Sequence, residues 1–121
     1  MEQNEQQEII RTARTTYDCE LKFGDDNGVD ITIIRIKAAN PGNGQGTACM
    51  VWLLNELASR GYKSVTTIPS PLDPMEPEEN SDLCIRLIRW YHRFGFNLVR
   101  EHFYEGTDLL SQAEMIMRLK P

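Results

Sequence analysis

The chain has 121 residues, with 13 Lys and Arg against 18 Asp and Glu, and a formal net charge of −5. This length fits one domain with its own core, and the acidic balance argues against nucleic acid as a partner, because phosphate binding needs a basic surface. No run of about 18 apolar residues predicts a membrane span, and the polar start MEQNEQQEII does not resemble a secretion signal. The three cysteines, an odd number in no zinc-binding pattern, favour a reducing, cytoplasmic location without a metal.

The first part of the chain predicts a hairpin of two strands. Residues 1–12 indicate a polar tail or a short helix, and residues 15–23 show the loose alternation of a strand. The sequence GDDNG at residues 24–28 is typical of a hairpin turn. Residues 29–38, VDITIIRIKA, form the clearest strand, and the change of parity at residues 33–34 indicates a β-bulge.

A helix, a short strand and a proline-rich loop are expected next. Residues 47–60 have the apolar spacing of a helix with one broad buried side, and residues 63–68 read as a short strand. Four prolines in and around residues 69–80 argue against regular structure there. A second helix is then expected to begin with Ser81 or Asp82 as its N-cap.

The end of the chain predicts one more helix and a final pair of strands. The second helix carries Tyr91 on its apolar stripe and is expected to stop at Gly95. Strands are expected at residues 97–103 and 114–119. The order β-β-α-β-α-β-β predicts one α/β (α+β) domain over residues 1–121, with a single mixed, mostly antiparallel twisted sheet and two main helices.

Three glycines, Gly42, Gly44 and Gly46, fall within five positions between the clearest strand and the first helix. Glycines at the start of a helix let an anion approach backbone N–H groups, because no Cβ stands in the way. The spacing fits neither the nucleotide P-loop, which needs Lys-Ser/Thr after its last glycine, nor the dinucleotide fingerprint. A tight turn with no ligand is the alternative.

Residues 41–47, PGNGQGT, resemble the acyl-CoA loop Arg/Gln-x-x-Gly-x-Gly/Ala of the Gcn5-related N-acetyltransferases. Residues 91–96, YHRFGF, are similar to that family's helix end, Tyr-x-x-x-Gly-Phe, and both motifs stand in the family's order. The chain departs from the family pattern at Pro41, which replaces Arg or Gln, and at Cys84, which replaces a frequent Asn. It looks like the short members of the family, several of which occur in phages and other mobile elements.

The resemblance implies an N-acetyltransferase that moves an acetyl group from acetyl-CoA to an amine. The cofactor contacts that it implies are Ile36, Lys37, Ala38, Gly42, Asn43, Gly44, Gln45, Gly46 and Thr47. Tyr91 is implied as the general acid that protonates the departing thiolate, and a buried core tyrosine is the alternative for it. No base is evident, and Asp18, Glu20, Asp30 and a water relay remain candidates.

Two other functions compete with the enzyme. A non-catalytic interaction or inhibitor protein could keep the fold and bind CoA, and a structural domain without a ligand is the third reading. The acidic residues between 73 and 82 permit a basic protein as acceptor or partner, and a solvated acidic loop is the alternative. A protein lysine, a protein N-terminus and a small amine all stay open as acceptors. The apolar residues of the terminal strands, or the helix that carries Trp52, predict a homodimer.

Overall fold

A computed structural model describes residues 1–71 and 73–120 of the chain. Three helices and five strands are present in these ranges, and none of the three helices has the length and apolar character that a bilayer span requires. In chain order the elements are α1 Gln3–Tyr17, β1 Cys19–Asp26, β2 Asp30–Ala38, α2 Gln45–Ser59, β3 Ser64–Thr67, α3 Pro77–His92, β4 Asn97–Phe103 and β5 Leu110–Arg118.

The five strands form one hydrogen-bonded sheet in the order β1-β2-β3-β5-β4. The β1–β2 and β4–β5 pairs are antiparallel. Neighbours β2 and β3 are joined through helix α2, a crossover that connects parallel strands, so the predicted mixed sheet is confirmed. The chain divides into two compact units, the first made of residues 1–65 and 118–121 and the second of residues 66–117.

In the first unit, helices α1 and α2 contact each other, and both pack on strand β1. The apolar side of the β1–β2 hairpin and the inner faces of these helices supply the buried side chains Ile9, Ala13, Cys19, Leu21, Phe23, Ile31, Ile33, Cys49, Met50, Leu53, Leu54 and Leu57. The predicted bulge is confirmed. Lys22 lies opposite Arg35 while Phe23 lies opposite Ile33, so Ile34 is the extra residue of β2.

Helix α1 is longer than the predicted limit of residue 12, and it corrects the start of the first predicted strand. Residues 15–17 are helical, whereas residues 19–23 lie in β1 as expected. The helix continues to Tyr17, whose ring stacks on Trp52 with a centroid distance of 5.3 Å. The Thr15 hydroxyl donates to the Arg11 carbonyl at 2.9 Å, so this residue finds a partner inside the helix. Asp18 then takes a left-handed conformation, with φ 49°, and ends the helix one residue before β1.

Helix α3 begins at Pro77, so the expectation of an N-cap at Ser81 or Asp82 was wrong. Proline is tolerated at the first helical position, because the N–H that it lacks has no partner there, and the acidic Glu78 and Glu79 suit the positive end of the helix. The Ser81 hydroxyl instead accepts the N–H of Leu110 at 3.0 Å.

The final hairpin is longer than predicted, because β5 begins at Leu110, not at residue 114. Leu110 lies opposite Phe103 across the β4–β5 ladder, and the N–H of Tyr104 donates to the Leu109 carbonyl at 2.9 Å. These contacts start β5 four residues before the predicted position, within a segment whose polar residues had indicated a loop. Every residue of β4 is exposed, including Leu98, Val99 and Phe103.

A buried carboxylate lies at the β1–β2 turn of the first unit. Both oxygens of Asp26 lie 2.7 Å from the Tyr62 hydroxyl, and Gln6 Nε2 donates to Oδ2 at 2.9 Å. Burial alone raises the pKa of Asp26. The hydrogen bonds from Tyr62, the Gly28 N–H, Gln6 and the Met1 amino group outweigh burial and lower this pKa to about 2.

We expect Tyr62→Phe to lower the free energy of unfolding by about 1.5–3 kcal/mol at neutral pH, the range for hydrogen bonds to charged groups. The folded-state pKa of Asp26 lies below the ordinary value of 3.8. Its contribution is therefore complete above about pH 4 and is lost as the pH falls towards 2. Urea unfolding of the wild type and Tyr62→Phe at pH 7 and pH 2.5 checks this. A deficit of the same size at both pH values would contradict it.

Candidate functional site

The loop between β2 and α2 is built on two left-handed glycines. Gly42 has φ 95° and Gly44 has φ 83°, and Gly44 is the N-cap of α2. A Cβ placed on either glycine would meet no atom within 4 Å. The glycines are therefore needed for backbone conformation, since other L-residues rarely adopt positive φ, and the space beside them is open.

The first turn of α2 presents backbone N–H groups without a capping side chain. The first bond inside the helix runs from the Ala48 N–H to the Gly44 carbonyl at 3.0 Å, and the Gln45 N–H meets Asn43 Oδ1 only at 3.3 Å. The N–H groups of Gly46 and Thr47 precede the helical ladder, so they are the ones that a helix leaves for a ligand or water. The positive end of the helix dipole adds to the attraction for an anion.

One buried polar atom at this loop lacks a partner. Gln45 Oε1 is inaccessible to solvent and makes no hydrogen bond in the described part of the chain. A buried amide oxygen without a donor is costly, so a polar group from a bound molecule would relieve it. Together with the uncapped N–H groups, this fits a phosphate-bearing ligand that also carries amide groups.

Strand β2 extends past its neighbour β3. The Lys63 N–H donates to the Val29 carbonyl at 2.8 Å, one residue before each strand begins, so the two strands start side by side. They are neighbours joined through helix α2, the connection of parallel strands, so they run in the same direction. Strand β2 has nine residues and β3 has four. Residues 36–38 therefore lie beyond the end of β3. This leaves a strip of β2 backbone next to the glycine loop.

An open pocket of about 440 Å³ lies where β1 begins and β2 ends. Lys37 and Ala38 line it together with two of the carboxylates considered as bases, Asp18 and Glu20. Glu20 Oε1 accepts from Arg35 at 2.8 Å, and Asp18 Oδ2 accepts from Asn40 at 3.3 Å. The complete lining is Arg14, Asp18, Cys19, Glu20, Lys37, Ala38 and Ala39.

Asp30, the third candidate base, lies at the other end of β2. Its carboxylate accepts from the Ser64 hydroxyl at 2.7 Å.

In the second unit, Tyr91 is 5% exposed, and its phenol is hydrogen-bonded to the Thr67 hydroxyl. Burial raises the pKa of Tyr91 above its usual value, and the bond to Thr67 offsets part of this rise. The phenol therefore keeps its proton throughout the neutral range. The Thr67 contact was not predicted from the sequence, although Thr67 lies on the buried side of the alternating strand β3.

The segment after Tyr91 explains the spacing of the second motif. Helix α3 ends at His92, and Gly95 takes φ 103°. This left-handed residue turns the chain back, so the fully buried Phe96 packs edge-on against Tyr91 with a centroid distance of 5.4 Å. His92 Nδ1 lies 3.1 Å from the Phe96 carbonyl oxygen, and this contact links the end of α3 to the residue that follows the turn.

Cys84 is fully buried, and burial raises the pKa of its thiol. A thiol without thiolate character is a poor nucleophile, so the structure favours packing over a covalent role. Asn80, one turn earlier, donates from Nδ2 to the carbonyls of Leu110 and Ser111 at 2.8 and 3.0 Å. Asn80 therefore joins α3 to β5. Within the described ranges, no group of three or more His, Cys, Asp or Glu side chains is placed to hold a metal ion.

No protein-family model matches this sequence, and no curated protein sequence matches it. Solved structures do match. The chain superposes on ribosomal-protein-S18-alanine N-acetyltransferase from Escherichia coli with a TM-score of 0.60 and 18% identity, covering 85% of this chain and 62% of that one. It superposes on an aminoglycoside 6′-N-acetyltransferase complexed with coenzyme A with a TM-score of 0.63 and 14% identity, covering 85% and 67%.

A third match carries the acetyl donor itself. It is a GNAT family acetyltransferase from Elizabethkingia anophelis with acetyl-CoA bound, with a TM-score of 0.60 and 13% identity, covering 84% of this chain and 68% of that one. This chain has the fold of the Gcn5-related N-acetyltransferases. The resemblance predicted from the two motifs is thus confirmed as a resemblance of fold. The chain spans 60–64% of the length of the first three matched structures, so those proteins contain segments with no counterpart here.

Within this acetyltransferase fold, the sequence-predicted cofactor residues fall together in the first unit. Residues 36–38 form the end of β2, and the glycine loop follows them directly into α2. Tyr91 belongs to the second unit, where Thr67 and Phe96 hold its ring. Pro41 is exposed at the start of the loop. What the loop offers to a ligand is therefore backbone groups, and the sequence signal for it was the glycine spacing.

We expect Gly44→Ala to lower the free energy of unfolding by about 1–2 kcal/mol. Positive φ strains the backbone of Ala, and its methyl group would gain no contact in the open space at this position. Gly44→Asn should lower it by less, since Asn tolerates the left-handed conformation better. Urea unfolding of the two variants beside the wild type measures the difference. Equal losses in both variants would show that φ at position 44 is not the constraint.

Proposed function

We propose that this protein is an N-acetyltransferase that transfers an acetyl group from acetyl-CoA to an amine. The observation that carries the proposal is the uncapped first turn of α2 behind the left-handed Gly44. In a chain with the acetyltransferase fold, that turn offers the pyrophosphate of acetyl-CoA a seat of backbone N–H groups. The matched structures that contain coenzyme A and acetyl-CoA support this choice of co-substrate.

The strip of β2 beyond β3 supplies the second contact. We assign residues 36–38 to the pantetheine arm, whose amides can bond to strand backbone as an added strand does. A backbone N–H on this strip can also stabilise the oxyanion that forms when the amine attacks the thioester carbonyl, a contribution of roughly 3 kcal/mol for one donor. The orphaned Gln45 Oε1 is assigned to an N–H of the same ligand.

Tyr91 is proposed as the proton donor in this mechanism. The neutral amine attacks the acetyl carbonyl, the C–S bond breaks, and the electron pair leaves with the thiolate of CoA. The Tyr91 phenol gives its proton to that sulfur, and a base passes a proton from the amine to solvent. Solvent then returns a proton to the Tyr91 phenolate. The phenol is protonated at neutral pH, as a general acid must be, and its burial makes it a weaker acid than an exposed tyrosine. Asp18 and Glu20, in the pocket beside Lys37, are the candidate bases, and a water relay is the alternative.

A non-catalytic interaction protein is the second candidate function. Pro41 and Cys84, which depart from the family pattern, favour it, as does the complete burial of Cys84 where the family often has a polar Asn. Such a protein would keep acetyl-CoA binding and lack turnover. The acceptor amine could be a protein lysine, a protein N-terminus or a small amine.

Acetyl-CoA binding tests the placement of the phosphates. We expect Gly44→Asp to weaken acetyl-CoA binding by about tenfold or more, because a carboxylate at the helix N-terminus repels the pyrophosphate. Gly46→Asp should act in the same way. Gly44→Asn has the same shape without the charge and should weaken binding less. Gly106→Asp adds a carboxylate at another left-handed glycine in open space and should leave affinity unchanged. Titration calorimetry giving wild-type affinity for both Asp variants of the loop would refute the placement.

Turnover separates the enzyme from the interaction protein. With an amine acceptor found by screening lysine peptides and polyamines, Tyr91→Phe should lower kcat by about 10² or more and leave acetyl-CoA affinity intact. Tyr62→Phe removes the hydroxyl of another buried tyrosine and should lower stability without changing kcat. Wild-type kcat in Tyr91→Phe would remove Tyr91 from the mechanism. Tight acetyl-CoA binding without turnover on any amine would favour the interaction protein.

A further inference from the structure

Strand β1 is at one end of the sheet, and no other strand in the described ranges pairs with its outer edge. Its neighbour within the described sheet is β2 alone. The Ala39 N–H donates to the Asp18 carbonyl at 2.9 Å, so the backbone groups of even-numbered residues up to Lys22 point towards β2. Backbone direction alternates along a strand, which means that the N–H and C=O of Cys19 and Leu21 point away from the sheet.

The exposed face of β1 carries a cation in an unfavourable place. Lys22 lies directly opposite Arg35 on β2, and like charges in opposed positions destabilise a sheet. Within residues 1–71 and 73–120, Lys22 forms no ion pair. Glu20, two residues earlier on the same face, lies opposite Lys37 and is bonded to Arg35. The strand therefore presents the sequence Glu-x-Lys, with the Lys lacking an anion.

We propose that β1 pairs antiparallel with β1 of a second copy of this chain, across a two-fold axis at Leu21. Leu21 then faces Leu21 of the second copy, and the outward N–H and C=O of each bond to the other. Glu20 faces Lys22 of the second copy, and Lys22 faces its Glu20. These are the non-hydrogen-bonded positions, where opposed side chains approach most closely. The symmetry supplies two new ion pairs and gives each Lys22 the anion that it lacks.

Strand β4, at the other end of the sheet, does not offer the same match. It is exposed along its whole length and has apolar side chains at Leu98, Val99 and Phe103. Its two residues of opposite charge, Arg100 and Glu101, are adjacent in the strand. They lie opposite Glu114 and Ala113 of β5, with no bulge between them. Adjacent residues project to opposite faces, so these charges cannot meet across a two-fold axis. Charge complementarity to a second copy therefore favours β1.

Sedimentation over a range of concentrations tests the proposal with two charge reversals. The wild type should dimerise. Lys22→Glu places Glu20 opposite a glutamate of the partner copy and should weaken dimerisation by about tenfold or more. Within one chain the new glutamate faces Arg35, so the variant should stay folded by circular dichroism. Glu20→Lys should weaken dimerisation likewise, and a one-to-one mixture of the two variants should restore it, because every opposed pair is then attractive.

Glu101→Lys is the matched reversal on β4 and should leave the dimer unchanged. A wild type that stays monomeric up to high micromolar concentration would overturn the proposal. So would a folded Lys22→Glu variant that dimerises as the wild type does. Loss of the dimer in Glu101→Lys but not in Lys22→Glu would place the contact on β4 and would also overturn it. These outcomes do not depend on acetyl-CoA binding or on turnover.

Discussion

The left-handed conformation of Gly44 is the constraint on which the candidate site depends. With φ 83° at the N-cap, the chain passes from β2 into α2 without a side chain that reaches back to the first turn. A Ser or Asp in the usual N-cap conformation would bond to one of the N–H groups there and close the site. Glycine gives up that stabilisation of the isolated helix, and the N–H groups of Gly46 and Thr47 remain for a ligand.

Local patterns in the sequence were sufficient for most of the fold. The GDDNG segment, the isoleucine-rich strand and the leucine-rich helix each carry a period or turn signal within a few residues. The structure has the hairpin, the strand and the helix, with the turn itself at residues 27–29. The bulge was also predictable, because Ile33 and Ile34 cannot both face the core of a regular strand. Errors arose where distant contacts decide. Tyr17 stays helical while stacked on Trp52, and Ser81 bonds to Leu110, 29 residues away.

The candidate site divides in the same way. The glycine loop and the Tyr-x-x-x-Gly-Phe segment are contiguous, so their spacing can be read directly from the sequence. Contacts between strands depend on register, and one residue of shift exchanges the two faces of a strand. The bulge at Ile34 makes such a shift inside β2. The pocket lined by Asp18, Glu20 and Lys37 could therefore not be predicted unless the exact position of the bulge was known. The Thr67 partner of Tyr91 is likewise 24 residues away in the chain.

Strand β4 differs from the other strands in how firmly it is attached. It has one strand neighbour among the described elements, its ladder with β5 is interrupted at two places, and all seven of its residues are exposed. Little apolar surface leaves water when it docks, so separating β4 from β5 costs mainly backbone hydrogen bonds. The amide protons of β4 should therefore exchange with solvent through local opening. The amide protons of the buried part of β2, around Ile31 and Ile33, should exchange only when the surrounding unit unfolds.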